Sequence, residues 1–340
     1  MSPLDGLAVP LVGAPLAGGP STPALAAAVS DAGGLGFVAA GYKSADEVAR
    51  EFEEVRRLVG RPFGLNLFYP ARDEVDEQAL TAYAERMRPE AERFGIEPGE
   101  PRWSDDDWDA KLELAAREAP AVVSFTFGCP EREVVETLRA AGSAVWCTVT
   151  SADEARVAAA VRADALVVQG REAGGHQGSF HAAAGEPLPT LGLLRQVAGA
   201  TDLPLVAAGG IASGEAIAAA LAAGAIAAQV GTALLLAPEA GTSESYREAL
   251  RGERPTRLTR AFTGRRARGL VNCFMRDHDR AAPRGYPEVH YVTAPIRAAA
   301  RAAGDAERIN LWAGEAYARA LEAPAGEIVE RLSAELRAAR

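Results

Sequence analysis

One segment of the sequence combines a single imidazole with an unusual density of glycine. Residues 169–178 read Gln-Gly-Arg-Glu-Ala-Gly-Gly-His-Gln-Gly, so four of the ten are glycine. Histidine exchanges a proton readily near neutral pH, and His176 is therefore the best candidate for a catalytic base in the chain. A structural histidine that hydrogen-bonds its own loop is the alternative at this point.

Two further glycine-rich turns could bind an anion through backbone N–H groups. Gly209 and Gly210 follow one apolar run, and Gly231 with Thr232 follows the next one. Glycine lets the backbone approach a ligand closely, and a helix that starts there adds favourable partial charge for a phosphate. Tight turns that need a positive φ angle would place glycine at the same positions.

Small side chains and one amide complete the set of candidate site residues. Asn66 ends another apolar run and can offer both a donor and an acceptor to the edge of a heteroaromatic ring, although a loop-capping amide is equally compatible. The loop after the first apolar run would bring bare backbone to a ligand. Its residues are Ala14, Pro15, Leu16, Ala17, Gly18 and Gly19.

Eight apolar runs, nearly all separated by amphipathic helices, must position these residues. The runs are continuous rather than alternating, which is typical of parallel strands that are buried on both faces. Eight such units favour a (β/α)8 TIM barrel, whose active sites lie on the loops after the strands, with phosphate commonly held after strands seven and eight. A doubly wound open sheet is the alternative. The predicted strands are 9–14, 35–40, 62–68, 121–127, 144–149, 165–169, 204–208 and 226–230.

The rest of the chain exceeds what one closing helix needs. Residues 1–235 plus 292–340 are predicted to form the barrel, with helices over 294–303 and 310–321 completing its outer ring. Residues 236–291 are predicted to form a mainly helical substrate or lid subdomain. Within that segment, the Arg-rich string 265–268 favours a solvated helix face over an anion site.

Composition limits the classes of function. The chain has 340 residues, with 36 Lys and Arg against 46 Asp and Glu, so an acidic surface argues against nucleic-acid binding. No signal peptide or membrane-spanning run is apparent, and the three cysteines, Cys129, Cys147 and Cys273, suggest a reducing compartment, hence a cytoplasmic location. His176 and His181 lack a matching carboxylate pattern, so no metal site is predicted.

Taken together, these strings resemble the nitronate monooxygenases, formerly called 2-nitropropane dioxygenases, which are FMN-dependent (β/α)8 enzymes. The resemblance covers nearly the whole chain, and the Gln-Gly-x-Glu-Ala-Gly-Gly-His string is its most specific part. Leu16 stands where the family usually has methionine. The matching strings are 14–19, 33–36, 148–151, 169–176, 208–211, 229–232, 262–269, Asn272 and 311–314.

The resemblance implies that FMN is the cofactor and assigns each candidate a role. The loop from Pro15 would pass the isoalloxazine ring, Asn66 and Gln169 would hydrogen-bond the flavin, and Gly174 would touch it. His176 would be the catalytic base or electrostatic partner above the flavin. The remaining implied cofactor contacts are Gly175, Gly209, Gly210, Gln229, Val230, Gly231 and Thr232, of which Gly210 and 229–232 would hold the phosphate.

The resemblance also implies a reaction. An alkyl nitronate, with propionate 3-nitronate as the first candidate, would pass one electron to FMN, and O2 would complete the oxidation without NAD(P)H. Enoyl-acyl carrier protein reductases that use FMN also resemble the loop around His176, and a flavin-binding protein without activity is a third possibility. The expected partners are a small nitronate and O2, without nucleic acid or membrane, in a monomer or homodimer.

Overall fold

Eight parallel strands form the centre of the molecule. The computed structural model describes residues 7–182 and 185–339, and every structural statement below refers to these. The strands are β1 (Leu11–Gly13), β2 (Gly36–Ala39), β3 (Phe63–Phe68), β4 (Val122–Thr126), β5 (Ala144–Val149), β6 (Ala165–Gln169), β8 (Leu205–Ala208) and β9 (Ala227–Val230). Their order is β1-β9-β8-β6-β5-β4-β3-β2, and a parallel bridge between Val12 and Leu35 brings the two ends together into a nearly closed barrel. The (β/α)8 prediction is confirmed.

Helices surround the barrel, and side-chain caps fix where several begin. Thr22 caps the first helix with Pro23 at its first position, and Ser44 forms a complete capping box with Glu47. None of the described helices is long and apolar enough to cross a membrane. The ring contains α1 (Pro23–Asp31), α2 (Ala45–Leu58), α5 (Trp108–Glu118), α6 (Arg132–Ala141), α7 (Ala152–Ala160), α8 (Thr190–Ala198), α9 (Gly214–Ala222) and α13 (Ala325–Ala338).

The alternation of side chains along the strands explains why the apolar runs are continuous. One set of alternate strand side chains packs together as a buried cluster inside the barrel, and it includes Val12, Phe37, Trp146 and Val206. Neighbouring residues such as Cys147 belong to separate clusters that include side chains from the helices. A strand with helices on one face and the barrel interior on the other has no face for polar residues. The interior is thus filled with side chains, and a cavity lies at the open end of the barrel to which the strands point their carboxyl ends.

A second layer lies over that open end. Its elements are β7 (Gly175–His176), β10 (Thr256–Thr259), β11 (Ala267–Leu270), α3 (Glu77–Arg86), α4 (Arg88–Glu92), α10 (Glu244–Arg251), α11 (Cys273–His278) and α12 (Glu288–Ala302). The sheet has the order β10-β11-β7 and is antiparallel, and a buried cluster around Phe262 and Phe274 joins it to helices that precede and follow it in the chain. The strands within 236–291 were not predicted from the sequence, and that division of the chain stays a prediction.

The predicted helix over residues 310–321 is wrong. That segment is largely extended, with only a short 3-10 turn over Tyr317–Arg319, and Trp312 bridges to Gly269 of β11. Its backbone pairs with distant partners, because Leu270 N donates to the Leu311 carbonyl at 2.8 Å. These tertiary hydrogen bonds replace the local ones of a helix. The ring is closed instead by α13, which packs against α1 and α9.

Candidate functional site

A large cavity opens at the carboxyl ends of the barrel strands. It contains about 1580 Å³ of empty space, including open solvent at its mouth. Two of the candidates do not line the cavity, Gly19 and Val230. The Val230 side chain is packed in the core, and its carbonyl accepts a hydrogen bond from Ala14 N. All the others line the cavity, namely Ala14, Pro15, Leu16, Ala17, Gly18, Asn66, Gln169, Gly174, Gly175, His176, Gly209, Gly210, Gln229, Gly231 and Thr232.

His176 lines this cavity and is held in place by contacts of its backbone and its ring. The residue lies in β7, opposite Ala267 of β11, and its carbonyl accepts from Gln169 Nε2 at 3.1 Å. The ring Nε2 lies 2.9 Å from Thr263 Oγ1. Three aromatic rings surround the imidazole, with centroids between 5.5 and 5.7 Å away. They belong to Phe127, Tyr286 and Trp312.

The surroundings of His176 favour its neutral form. Burial, followed by the positive charges of Arg265 and Arg297, lowers its pKa to about 3. Thr263 Oγ1 also lies 3.3 Å from the Arg265 carbonyl, which can only accept. In the tautomer that carries its proton on Nε2, His176 donates to the hydroxyl, the hydroxyl donates to that carbonyl, and Nδ1 keeps the free lone pair.

The two predicted amides are held differently. Gln169 is engaged by its own loop, because Oε1 accepts from Gly178 N at 2.7 Å while Nε2 donates to His176. Asn66 Nδ2 donates to Ser124 and to Thr126 Oγ1, which fixes the orientation of the amide. No described donor reaches Asn66 Oδ1, so this acceptor is available to a ligand.

Backbone donors without partners lie at the ends of β8 and β9. The N–H groups of Gly210, Gly231 and Thr232 donate to no acceptor within the described chain, although all three residues line the cavity. Gly210 has a φ angle of +70°, a conformation that glycine adopts without strain. Thr232 Oγ1 accepts from Gly314 N at 3.0 Å, so its own hydrogen remains free to donate. Unpaired donors at this position can bind a phosphate.

Close packing also requires glycine at positions next to these unpaired donors. A Cβ atom on Gly174 would lie 2.5 Å from Gly314 N, which is closer than any real contact. A Cβ atom on Gly231 would lie 3.2 Å from both Ala14 Cβ and Leu16 Cδ2. These contacts bring four backbone segments close together, at residues 14–16, Gly174, Gly231 and Gly314.

Sequence reasoning missed the residues that α12 and its neighbours contribute. Tyr42 stacks on His290 with ring centroids 4.0 Å apart, and Arg297 lies on the same helix as His290, seven residues later. Asn310 also lines the cavity. The spacing of seven places His290 and Arg297 on one helix face, and this signal could have been read from the sequence.

The basic string is not a solvated helix face. Residues 267–270 form β11, and Arg265 is only 2% exposed, with its guanidinium over the Phe127 ring at 4.2 Å. Elsewhere, Glu90, Asp277 and His278 lie close enough together to suggest a metal site. Arg308 contacts Glu90 at 2.7 Å, so this cluster already contains its own cation.

Comparisons with known proteins agree with this geometry. The profile of the family described as nitronate monooxygenase matches residues 2–335. A nitronate monooxygenase from Pseudomonas aeruginosa is 42% identical, covering 98% of each chain, and a probable nitronate monooxygenase from Staphylococcus aureus is 33% identical over 95% of this chain and 93% of the relative.

Solved structures extend the comparison to three dimensions. Nitroalkane oxidase from Streptomyces ansochromogenes is 48% identical and superposes with a TM-score of 0.96, covering 100% of this chain and 99% of that one. FabK from Thermotoga maritima is more distant, with 27% identity and a TM-score of 0.76 over 98% and 95% of the two chains. The chain therefore belongs to the nitronate monooxygenase family of flavin-dependent oxidoreductases.

Proposed function

We propose that this protein uses FMN and O2 to oxidise alkyl nitronates to carbonyl compounds, with release of nitrite or nitrate. Propionate 3-nitronate is the first candidate substrate, and small alkyl nitronates are the second. One observation carries the proposal: unpaired backbone donors and a neutral His176 line the same cavity, and none of its described lining residues is Asp or Glu. Such a cavity suits an anionic cofactor group and an anionic substrate.

The residues present fit the proposed cofactor. The N–H groups of Gly210, Gly231 and Thr232 would hold the phosphate, and Asn66 Oδ1 would accept from the edge of the ring system. Once bound, FMN supplies an acceptor for one electron from the nitronate. Residues 236–291 are proposed as the substrate-side unit, because Tyr246 and other residues of that segment line the cavity.

The role of His176 depends on the protonation state of the substrate. A nitronate has already lost its α proton, so the neutral imidazole has only to orient and enclose the anion. A neutral nitroalkane must lose that proton first, and the free Nδ1 of His176 is the group that would accept it. The proposal therefore predicts that the two substrate forms respond differently when the imidazole is removed.

Oxygen consumption with and without a pyridine nucleotide tests the proposal. The purified protein should show the visible spectrum of a flavin, consume O2 with propionate 3-nitronate, and release nitrite in the absence of NADH. NADH-dependent reduction of a crotonyl thioester, with no O2 uptake on any nitronate, would instead identify an enoyl reductase. Bound FMN with neither activity would point to a flavin-binding protein.

A further inference from the structure

Two of the three cysteines of the chain lie against each other near the cavity. Cys147 is on β5 and is fully buried, whereas Cys129 lies in the segment after β4 and is partly exposed. Their sulfur atoms are 3.4 Å apart and share a hydrogen bond. The third cysteine, Cys273, begins α11 in the second layer, where its sulfur accepts from Arg276 at 3.0 Å. Cys129 and Cys147 therefore form a pair of thiols in contact, and Cys273 stands apart from it.

The two thiols of this pair differ in accessibility and in acidity. The hydrogen bond to Cys129, together with burial, raises the pKa of the Cys147 thiol well above its ordinary value, so Cys147 stays protonated. Peroxides oxidise the thiolate form of cysteine, and they reach accessible sulfurs before buried ones. Cys129 is the partly exposed member, so it is the sulfur that a small oxidant meets first. Cys147 then lies in place as the second thiol.

Hydrogen peroxide can oxidise such a pair in two balanced steps. The Cys129 thiolate attacks one peroxide oxygen, an S–O bond forms as the O–O bond breaks, and the leaving hydroxide takes up the proton that Cys129 has lost. The Cys147 sulfur then attacks the sulfenic acid of Cys129. The S–S bond forms, the S–O bond breaks, and the hydroxide leaves as water with the proton of Cys147. Overall, two thiols lose two electrons and two protons, and one peroxide becomes two waters.

Formation of the bond would move the segment that contains Cys129. A disulfide holds its sulfur atoms about 2.0 Å apart, so the two sulfurs must approach each other by about 1.4 Å. Cys147 is held in the barrel on both sides, because it pairs with Phe125 of β4 and with Leu166 of β6. Cys129 lies beyond the end of β4 and belongs to no strand. The displacement therefore falls mainly on residues 127–129.

This segment contacts the candidate site through Phe127. The residue has a φ angle of +77°, which is unfavourable for a bulky side chain and must be held by its surroundings. Its ring meets the His176 ring edge-on, with centroids 5.7 Å apart, and the Arg265 guanidinium lies over it at 4.2 Å. Phe127 and its neighbour Thr126 both line the cavity. A shift of residues 127–129 would therefore disturb the wall against which His176 packs.

We propose that Cys129 and Cys147 are a modification site, which hydrogen peroxide converts into a reversible disulfide that lowers turnover by displacing Phe127. The formation of the disulfide does not depend on which substrate the protein oxidises, whereas its effect on turnover rests on the proposed function. Thiol reductants restore the pair, as is typical of disulfides that sense oxidants in reducing compartments.

Thiol counting on the purified holoprotein tests the pairing. Three thiols per chain should react with a thiol-specific dye in denaturant before treatment, and one should remain after brief exposure to hydrogen peroxide. Peptide mapping should then find Cys129 linked to Cys147. Cys273→Ser should form the same disulfide, and Cys129→Ser should keep Cys147 as a free thiol. Three free thiols after treatment, a bond that includes Cys273, or oxidation of Cys129 without cross-linking would overturn the proposal.

Oxygen uptake after removal of the peroxide tests the consequence. The rate with propionate 3-nitronate should fall about 10- to 100-fold in the cross-linked protein, since displacements of about 1 Å near reacting groups cost that much, and dithiothreitol should restore it. Cys129→Ser should keep the untreated rate and lose the response, whereas Cys273→Ser should respond like the parent. An unchanged rate in the cross-linked protein would overturn the effect on turnover. A protein that forms the disulfide but oxidises no nitronate would refute the proposed function and still support the modification site.

Discussion

Replacing His176 with asparagine should separate the two substrate forms. Asparagine keeps polarity and approximate size but cannot accept a proton, so turnover of a neutral nitroalkane should fall while turnover of its nitronate continues. General bases contribute about 100- to 10,000-fold, most when their pKa lies near the working pH. The pKa of His176 is about 3, so the imidazole is a weak base at pH 7. The expected loss is therefore at the lower end, about 100-fold.

The assay compares initial rates of O2 uptake for 1-nitropropane and for pre-formed propyl-1-nitronate at pH 7. His176→Asn should retain its flavin spectrum and stay within about threefold of the parent on the nitronate, because that substrate needs no base. His181→Asn is the matched control, since the His181 side chain is 81% exposed and does not line the cavity. Unchanged nitroalkane turnover, or an equal loss on both substrates, would refute the role of His176 as base.

Three further outcomes follow from the same site. Gly210→Ala puts a Cβ on a backbone with a φ angle of +70°, which strains the turn, so FMN should bind more weakly. The dissociation constant can be measured from the recovery of FMN fluorescence on dilution. An unchanged dissociation constant would contradict the proposed phosphate site at Gly210. Gly174→Ala forces a Cβ against Gly314 N and should lower the free energy of unfolding by about 1–3 kcal/mol in a denaturant titration. Because burial lowers the folded-state pKa of His176 and His290, the unfolded chain binds more protons below about pH 6.5, and stability falls on acidification. Each histidine should cost up to about 1.4 kcal/mol per pH unit, and His176→Asn should reduce this slope between pH 6 and 5.

The barrel could be predicted because its strands obey local rules. All eight apolar runs became strands within two residues of their predicted bounds, since both faces of each are buried. The helix caps at Thr22 and Ser44 likewise depend on local residue types. Ser151 and Glu154 have the spacing of a capping box, but only half of the box forms: the Ser151 side chain accepts from Glu154 N, whereas the Glu154 carboxylate accepts from Thr150 N and Phe180 N.

The second layer over the barrel could not be predicted because its strands are held by pairing between segments that are far apart in the sequence. Strand β11 (Ala267–Leu270) is stabilised by pairing with β10 and β7. Arg268 and Gly269 stand in its middle, so the sequence shows no apolar run there. Trp312 and its neighbours are extended because their backbone pairs with β11 and does not form the local hydrogen bonds of a helix. Arg297 and His290 reach the cavity only because α12 lies over the barrel mouth, so the sequence revealed the proposed cofactor end of the site better than the proposed substrate end.

The shortage of acidic side chains around the cavity has a cost at the end of the reaction. In the proposed reaction the product nitrite is itself an anion, and the donors proposed to bind a nitronate would also retain it. Departure of the product would then compete with arrival of the next substrate, and accumulating nitrite would slow the enzyme. Added nitrite is therefore expected to inhibit the proposed reaction by competing with the nitronate for the same cavity.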